Sequence, residues 1–125
     1  MISVTCAIIK RGETFLAAQR SQDTHLAGKW EFPGGKVDEG ETAEACIARE
    51  IREELGVEIQ PTRRLSDSIH DYGDKQIRLI PFECDLVKGE PVAHEHASVG
   101  WFTPNDLRTL SWCEADLPIL DQILS

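Results

Sequence analysis

The chain has 125 residues, enough for one compact domain spanning 1–125 and too few for two. Its formal net charge of −9 argues against broad, sequence-independent nucleic-acid binding, which needs basic surface. No apolar run reaches membrane-spanning length and no secretion signal is evident, so a cytoplasmic location with no membrane partner is expected.

Ser3 to Lys10 is rich in β-branched and apolar residues, the pattern of a buried strand. Arg11-Gly12-Glu13 signals a turn, and Thr14 to Gln19 completes a hairpin. Ser21 to Lys29 is a polar loop, and Lys36-Val37 is a short strand entering a helix expected from about residue 42 to 55. Thr42 suits its N-cap, Glu41 and Glu44 suit its positive N-terminus, and Gly56 suits a left-handed C-terminal cap.

That helix carries two stripes. Ile47, Ile51 and Leu55 recur every four residues, with Ala48 beside them, and predict a core face. Glu50, Glu53 and Glu54 fall on the adjoining arc of roughly 100°. Like charges at this spacing are mildly destabilising, and a hard cation relieves the repulsion. Mg2+ takes oxygen ligands and leaves room for substrate phosphates. The alternative is a solvated acidic face. Between Asp38 and Glu58 lie eight acids and two bases, a net −6, so the acidity is concentrated here. A polyanionic substrate is repelled by such a surface unless a metal accompanies it.

Val57 to Ile69 reads as extended, Tyr72-Gly73-Asp74 as a turn, and Gln76 to Val87 as a strand with Pro81 at an edge or bulge. Lys88-Gly89-Glu90-Pro91 is a further turn and Ser98 to Phe102 a short strand. Thr103-Pro104-Asn105-Asp106 opens a short helix by capping logic. Leu117, Leu120, Ile123 and Leu124 predict a terminal helix over residues 114 to 124. Cys6, Cys46, Cys84 and Cys113 are scattered without a Cys-x-x-Cys pair, which fits free thiols in a reducing compartment.

Gly35, Glu41, Arg49-Glu50-Ile51, Glu53-Glu54 and Gly56-Val57 meet every specified position of the Nudix hydrolase signature box. Residues 19 to 41, together with Ala93-His94-Glu95-His96 and Ala115-Asp116-Leu117-Pro118, resemble the MutT branch of that family and its bacterial CTP pyrophosphohydrolase relatives. The resemblance implies an α/β fold, a Nudix-type α/β/α sandwich with a mixed sheet. It also implies a nucleoside triphosphate substrate, hydrolysed to the monophosphate and pyrophosphate with Mg2+, or Mn2+ in its place. A monomer or weak dimer is expected.

The resemblance further implies site roles. Glu53 and Glu54 are metal ligands, Glu50 is a further ligand or the general base, and Gly34 or Gly35 contributes a carbonyl. Arg49 orients the glutamates by ion pairing, and Glu41 is structural. Glu95, in the loop before the strand at 98 to 102, joins the metal site or serves as base. Arg20, His25, Glu31, Phe32, Pro33, Gly34 and Asp116 match positions around the nucleotide. Asp116 stands where the MutT type has Asn. An ionised Asp only accepts hydrogen bonds and suits an edge bearing donors, such as the exocyclic amine of cytosine. The simpler role for Asp116 is a cap for the terminal helix. Two other readings are a Nudix hydrolase of another nucleoside-diphosphate derivative and a non-catalytic nucleotide sensor; the intact box argues against the sensor.

Overall fold

Alternate residues of the first strand face opposite ways, and this alternation sorts the apolar side chains into two cores. The computed structural model describes residues 1–125. Strand β1 (Ile2–Arg11) turns through Gly12, at φ +60°, into β2 (Thr14–Gln19). The short strands β3 (Trp30–Glu31) and β4 (Gly34–Lys36) follow, then helix α1 (Ala43–Leu55). Strands β5 (Glu58–Arg64), β6 (Ser68–Asp71), β7 (Gln76–Lys88) and β8 (Ser98–Phe102) come next. They lead to α2 (Pro104–Leu107), a 3-10 turn over Glu114–Asp116, and α3 (Leu117–Leu124).

β1 and β7 run parallel from Ile2 opposite Ile77 to Ile9 opposite Cys84. The other edge of β1 is shared: its first half pairs antiparallel with β4, its last residues with β2. Beyond these, β2 carries β3 and β8, and β7 carries β5 and β6. Ala7, Ile9, Leu16, Ile80 and Phe82 pack beneath Ile47, Ile51 and Leu55 of α1. Cys6, Ile8, Phe15, Ala17 and Leu79 form the opposite core with Leu107, Trp112, Ile119 and Leu120. The result is the expected α/β/α sandwich with a mixed sheet. Ile47, Ile51 and Leu55 are completely buried, and truncating any one to alanine is expected to cost about 2–5 kcal/mol.

Three elements differ from the sequence reading. The extended segment from Val57 is two strands, β5 and β6, separated by residues 65 to 67. Pro81 lies in β7, an interior strand. Its carbonyl accepts the Leu65 N–H at 2.9 Å, so its ring nitrogen faces the same side, where β5 has ended and β6 has not begun. A missing N–H costs little at that break. The terminal helix opens with the 3-10 turn, so its α-helical part starts only at Leu117. No helix is long and apolar enough to cross a membrane. All four cysteines are free and buried.

Candidate active site

The caps of α1 set the phase of its carboxylates. Thr42 Oγ1 accepts the Ala45 N–H at 3.1 Å. Gly56, at φ +70°, donates its N–H to the Arg52 carbonyl. With the apolar stripe turned into the core, Glu50 and Glu54 are carried toward β4. A Cβ on Gly35 would lie 2.3 Å from the Glu50 carboxyl carbon. A Cβ on Gly34 would lie 1.9 Å from the Thr5 carbonyl oxygen. The two glycines thus let β4 fit between β1 and α1.

Arg49 holds the acids in place. Its Nε and Nη2 take both oxygens of Glu41 at 2.7 and 3.0 Å, and its Nη1 reaches Glu50 at 2.9 Å and Glu53 at 3.3 Å. The hydrogen bond from Arg49 lowers the Glu41 carboxyl to about 2, helped by the Asp38 N–H. The same bond raises the Arg49 guanidinium above its ordinary value.

Glu54 is in a harsher setting. Its side chain is 12% exposed, and Oε1 is buried with no hydrogen-bond partner. Burial, followed by the charges of Glu31, Glu50 and Glu95, pushes it up to about 9. Burial also raises Glu50, against the pull of Arg49. Glu53 is 56% exposed and its carboxylate lies on Arg49. No three acidic, histidine or cysteine side chains converge on one point. The donor set nevertheless fits a hard divalent cation. A partnerless buried carboxylate oxygen lies beside a second desolvated carboxylate and a glycine strand whose close approach admits no Cβ.

The loop carrying Glu95 is fastened to the end of α1. Val92 N–H bonds the Leu55 carbonyl at 3.0 Å and His94 N–H bonds the Glu54 carbonyl at 3.2 Å, satisfying carbonyls that a helix terminus leaves open. Glu95 itself is exposed, yet near enough for its charge to act on both Glu50 and Glu54. His96, one residue on, turns inward and is 5% exposed. Its Nε2 lies 2.9 Å from Glu31 Oε2.

A cleft of about 200 Å3 lies against these groups. Its lining includes Gly34, Gly35 and Glu54, Phe32, Tyr72 and Asp116, and Arg20, His25 and Glu31. Arg20 is fixed by bonds to the His25 carbonyl at 2.6 Å and to Glu31 at 3.0 Å. Asp116 makes no capping bond to α3. Instead its Oδ2 accepts the Phe32 N–H at 2.9 Å. Burial, then the charge of Glu31, holds this carboxyl well above its ordinary value. A larger groove of about 590 Å3, walled by Lys10, Arg63, Glu83 and Asp85, contains no residue of the glutamate box. It lacks the buried, desolvated acids Glu54 and Asp116 that line the smaller cleft.

Of the sequence candidates, Pro33 alone among the nucleotide positions is outside the cleft lining. It is buried, and its carbonyl takes the Ala7 N–H at 2.8 Å. The structure adds residues that spacing did not reveal. Tyr72 and Lys75 come from the turn between β6 and β7. Leu26 lines the cleft from a backbone at φ +59°, an uncommon conformation for a residue with a side chain. Only the inward turn of His96 had a sequence signal, the alternation that points it away from Glu95.

Residues 1–123 match the NUDIX domain. The chain is similar to a Mycobacterium tuberculosis protein provisionally named 8-oxo-dGTP diphosphatase 2, with 41% identity covering 90% of this chain and 81% of that one. It is similar to the CTP pyrophosphohydrolase of Escherichia coli K12, with 34% identity covering 100% of this chain and 93% of that one. Its fold superposes on a MutT NUDIX hydrolase from Burkholderia pseudomallei with a TM-score of 0.85 and 32% identity, covering 98% of this chain and 97% of that one. Nudix hydrolases act on nucleotide substrates and generally use a divalent metal such as Mg2+. On the domain match and these relatives, the chain belongs to the Nudix hydrolase family.

Proposed function

We propose that this protein hydrolyses nucleoside triphosphates to the nucleoside monophosphate and pyrophosphate, with Mg2+, or Mn2+ in its place, as cofactor. The observation that carries this reading is the single cleft joining Glu54, Gly34 and Gly35 to Asp116. A triphosphate chain at the glutamate end leaves the base beside Asp116 and Phe32. Glu53 and Glu54, with Glu50 and a carbonyl of Gly34 or Gly35, are the groups that would hold the cation. When bound, a divalent cation neutralises phosphate charge and lowers the pKa of water. Arg49 keeps Glu50 and Glu53 aligned, and Glu50 or Glu95 takes the proton from the attacking water. Arg20 and His25 wall the nucleotide, tied together by the Arg20 bond to the His25 carbonyl.

The base edge is read by Asp116. As an ionised acceptor it suits the amine of cytosine, which makes CTP or dCTP the first substrate class to test. One observation favours a second reading, 8-oxo-dGTP. Burial pushes Asp116 toward its neutral form, which donates as well as accepts and so suits a purine edge carrying both kinds of group. Replacing Glu53 tests the metal assignment. Glu53→Gln should lower kcat by about two orders of magnitude with the fold intact. Near-normal turnover would sink the assignment.

A further inference from the structure

Two acids of the cleft lining, Glu31 and Glu54, lie against one buried imidazole. His96 Nε2 lies 2.9 Å from Glu31 Oε2 and 3.8 Å from Glu54 Oε2. The other oxygen of Glu31 takes Arg20 Nη1 at 3.0 Å, and Arg20 Nε bonds the His25 carbonyl at 2.6 Å. A contact path therefore runs from the loop at His25 through Arg20, Glu31 and His96 to Glu54 on α1. His96 is carried there by a chain segment fixed on both sides. His94 N–H bonds the Glu54 carbonyl at 3.2 Å, and Ala97 N–H bonds the Gln19 carbonyl at 2.9 Å. The imidazole has little freedom, since only 5% of its side chain is exposed.

Two buried atoms in this group lack partners, His96 Nδ1 and Glu54 Oε1. His96 and Glu54 also line a small polar recess of about 150 Å3 with Arg20, Thr24, Glu31 and Glu95 and no apolar side chain. Burying an imidazole among carboxylates is unfavourable for a side chain that only fills space, because an apolar side chain of similar size would avoid its desolvation. Placement of the acids is what the imidazole adds.

We propose that His96 is a positioning residue for hydrolysis. Its Nε2 holds Glu31 by a hydrogen bond and packs against Glu54, so that the nucleotide wall and the metal-facing carboxylates keep one geometry. This inference rests on the proposed metal-dependent hydrolysis at the same cleft. Partners of this kind, one contact removed from a metal site, typically change affinity or activity by 10–100-fold when lost.

The test compares His96→Leu with His96→Gln. Both retain bulk, and only Gln retains a donor that can reach Glu31. Each is measured for kcat and KM with Mg2+, for thermal midpoint, and for Mn2+ affinity in the absence of nucleotide by electron paramagnetic resonance. The expected result for Leu is a loss in kcat of roughly tenfold or more and a weakened Mn2+ affinity, both largely restored by Gln. The double variant Glu31→Gln/His96→Leu should lose little beyond either single change, since the two act as a unit. If Leu and Gln behave alike in kcat and Mn2+ affinity, His96 only fills space and the inference is overturned, whatever the thermal midpoints. Additive losses in the double variant overturn the link to Glu31. A wild-type chain that neither binds Mn2+ nor hydrolyses nucleoside triphosphates overturns the parent reading, and this inference with it.

Discussion

Phe32 donates its backbone N–H to Asp116 Oδ2 at 2.9 Å, joining residues 84 apart in the chain on the lining of the cleft. The bond uses a carboxylate at the start of α3 that would otherwise be free to cap that helix. Asp116 also lines the cleft, where the proposed function has it read the base. Asp116→Asn keeps an acceptor for Phe32 and adds a donor. It should move preference from cytosine toward oxidised guanine nucleotides by roughly tenfold in kcat/KM. Unchanged preference means that Asp116 does not read the base.

Glu54 pairs poor stability with a functional position. Its Oε1 has no partner, and burial among other acids pushes it up to about 9. The folded value is above the ordinary 4.5, so the metal-free protein loses stability as pH rises from about 4.5 toward 9. Glu54→Gln removes that titration and should stabilise the metal-free fold at pH 8 by roughly 1–2 kcal/mol, while turnover falls by about two orders of magnitude. Urea unfolding in a chelator measures the first effect. A destabilised variant contradicts the description of Glu54 as a strained acid.

The two glycines of β4 should fail differently when replaced. A Cβ on Gly34 meets the Thr5 backbone at 1.9 Å, so Gly34→Ala forces strands apart and is expected to cost about 2–4 kcal/mol. A Cβ on Gly35 meets the movable end of Glu50 at 2.3 Å. Gly35→Ala should therefore keep most of the stability and lose roughly tenfold or more in kcat. Equal thermal midpoints for the two variants would contradict this distinction.

Glu41 gives the acid limb of stability. Its folded value of about 2 is below the ordinary 4.5, and the cause is the hydrogen bond from Arg49. Its contribution is present above about pH 4.5 and is lost as pH falls toward 2. Glu41→Gln should flatten the stability profile over that interval. An acid limb as steep as in the wild type shows that other groups produce it.

The sequence revealed α1 almost completely, because its signals are local. Thr42 and Gly56 mark its ends, and Ile47, Ile51 and Leu55 repeat within one element. The same periodicity grouped Glu50, Glu53 and Glu54, but could not distinguish the exposed Glu53 from the half-buried Glu54. That difference depends on β4 and on the loop after β7. β3 escaped notice because two residues carry no period, and the short strand expected at Lys36-Val37 instead begins at Gly34 and ends at Lys36, since a strand that opens on two glycines carries little pattern. The Phe32–Asp116 bond and the approach of His96 to Glu31 span long stretches of chain, so no spacing rule exposes them. The residues expected around a nucleotide were legible only through family likeness, and the capping role for Asp116 fails because its carboxylate bonds the Phe32 N–H instead.

A nucleotide panel tests the central claim most directly. CTP, dCTP, 5-methyl-dCTP, 8-oxo-dGTP and unmodified dGTP are compared by kcat/KM with Mg2+ or Mn2+, with every phosphorus product identified by 31P NMR. The expected result is metal-dependent release of monophosphate and pyrophosphate, with a cytosine or 8-oxoguanine nucleotide favoured over dGTP. Release of inorganic phosphate as the first product, or turnover unaffected by removing the metal, would contradict it.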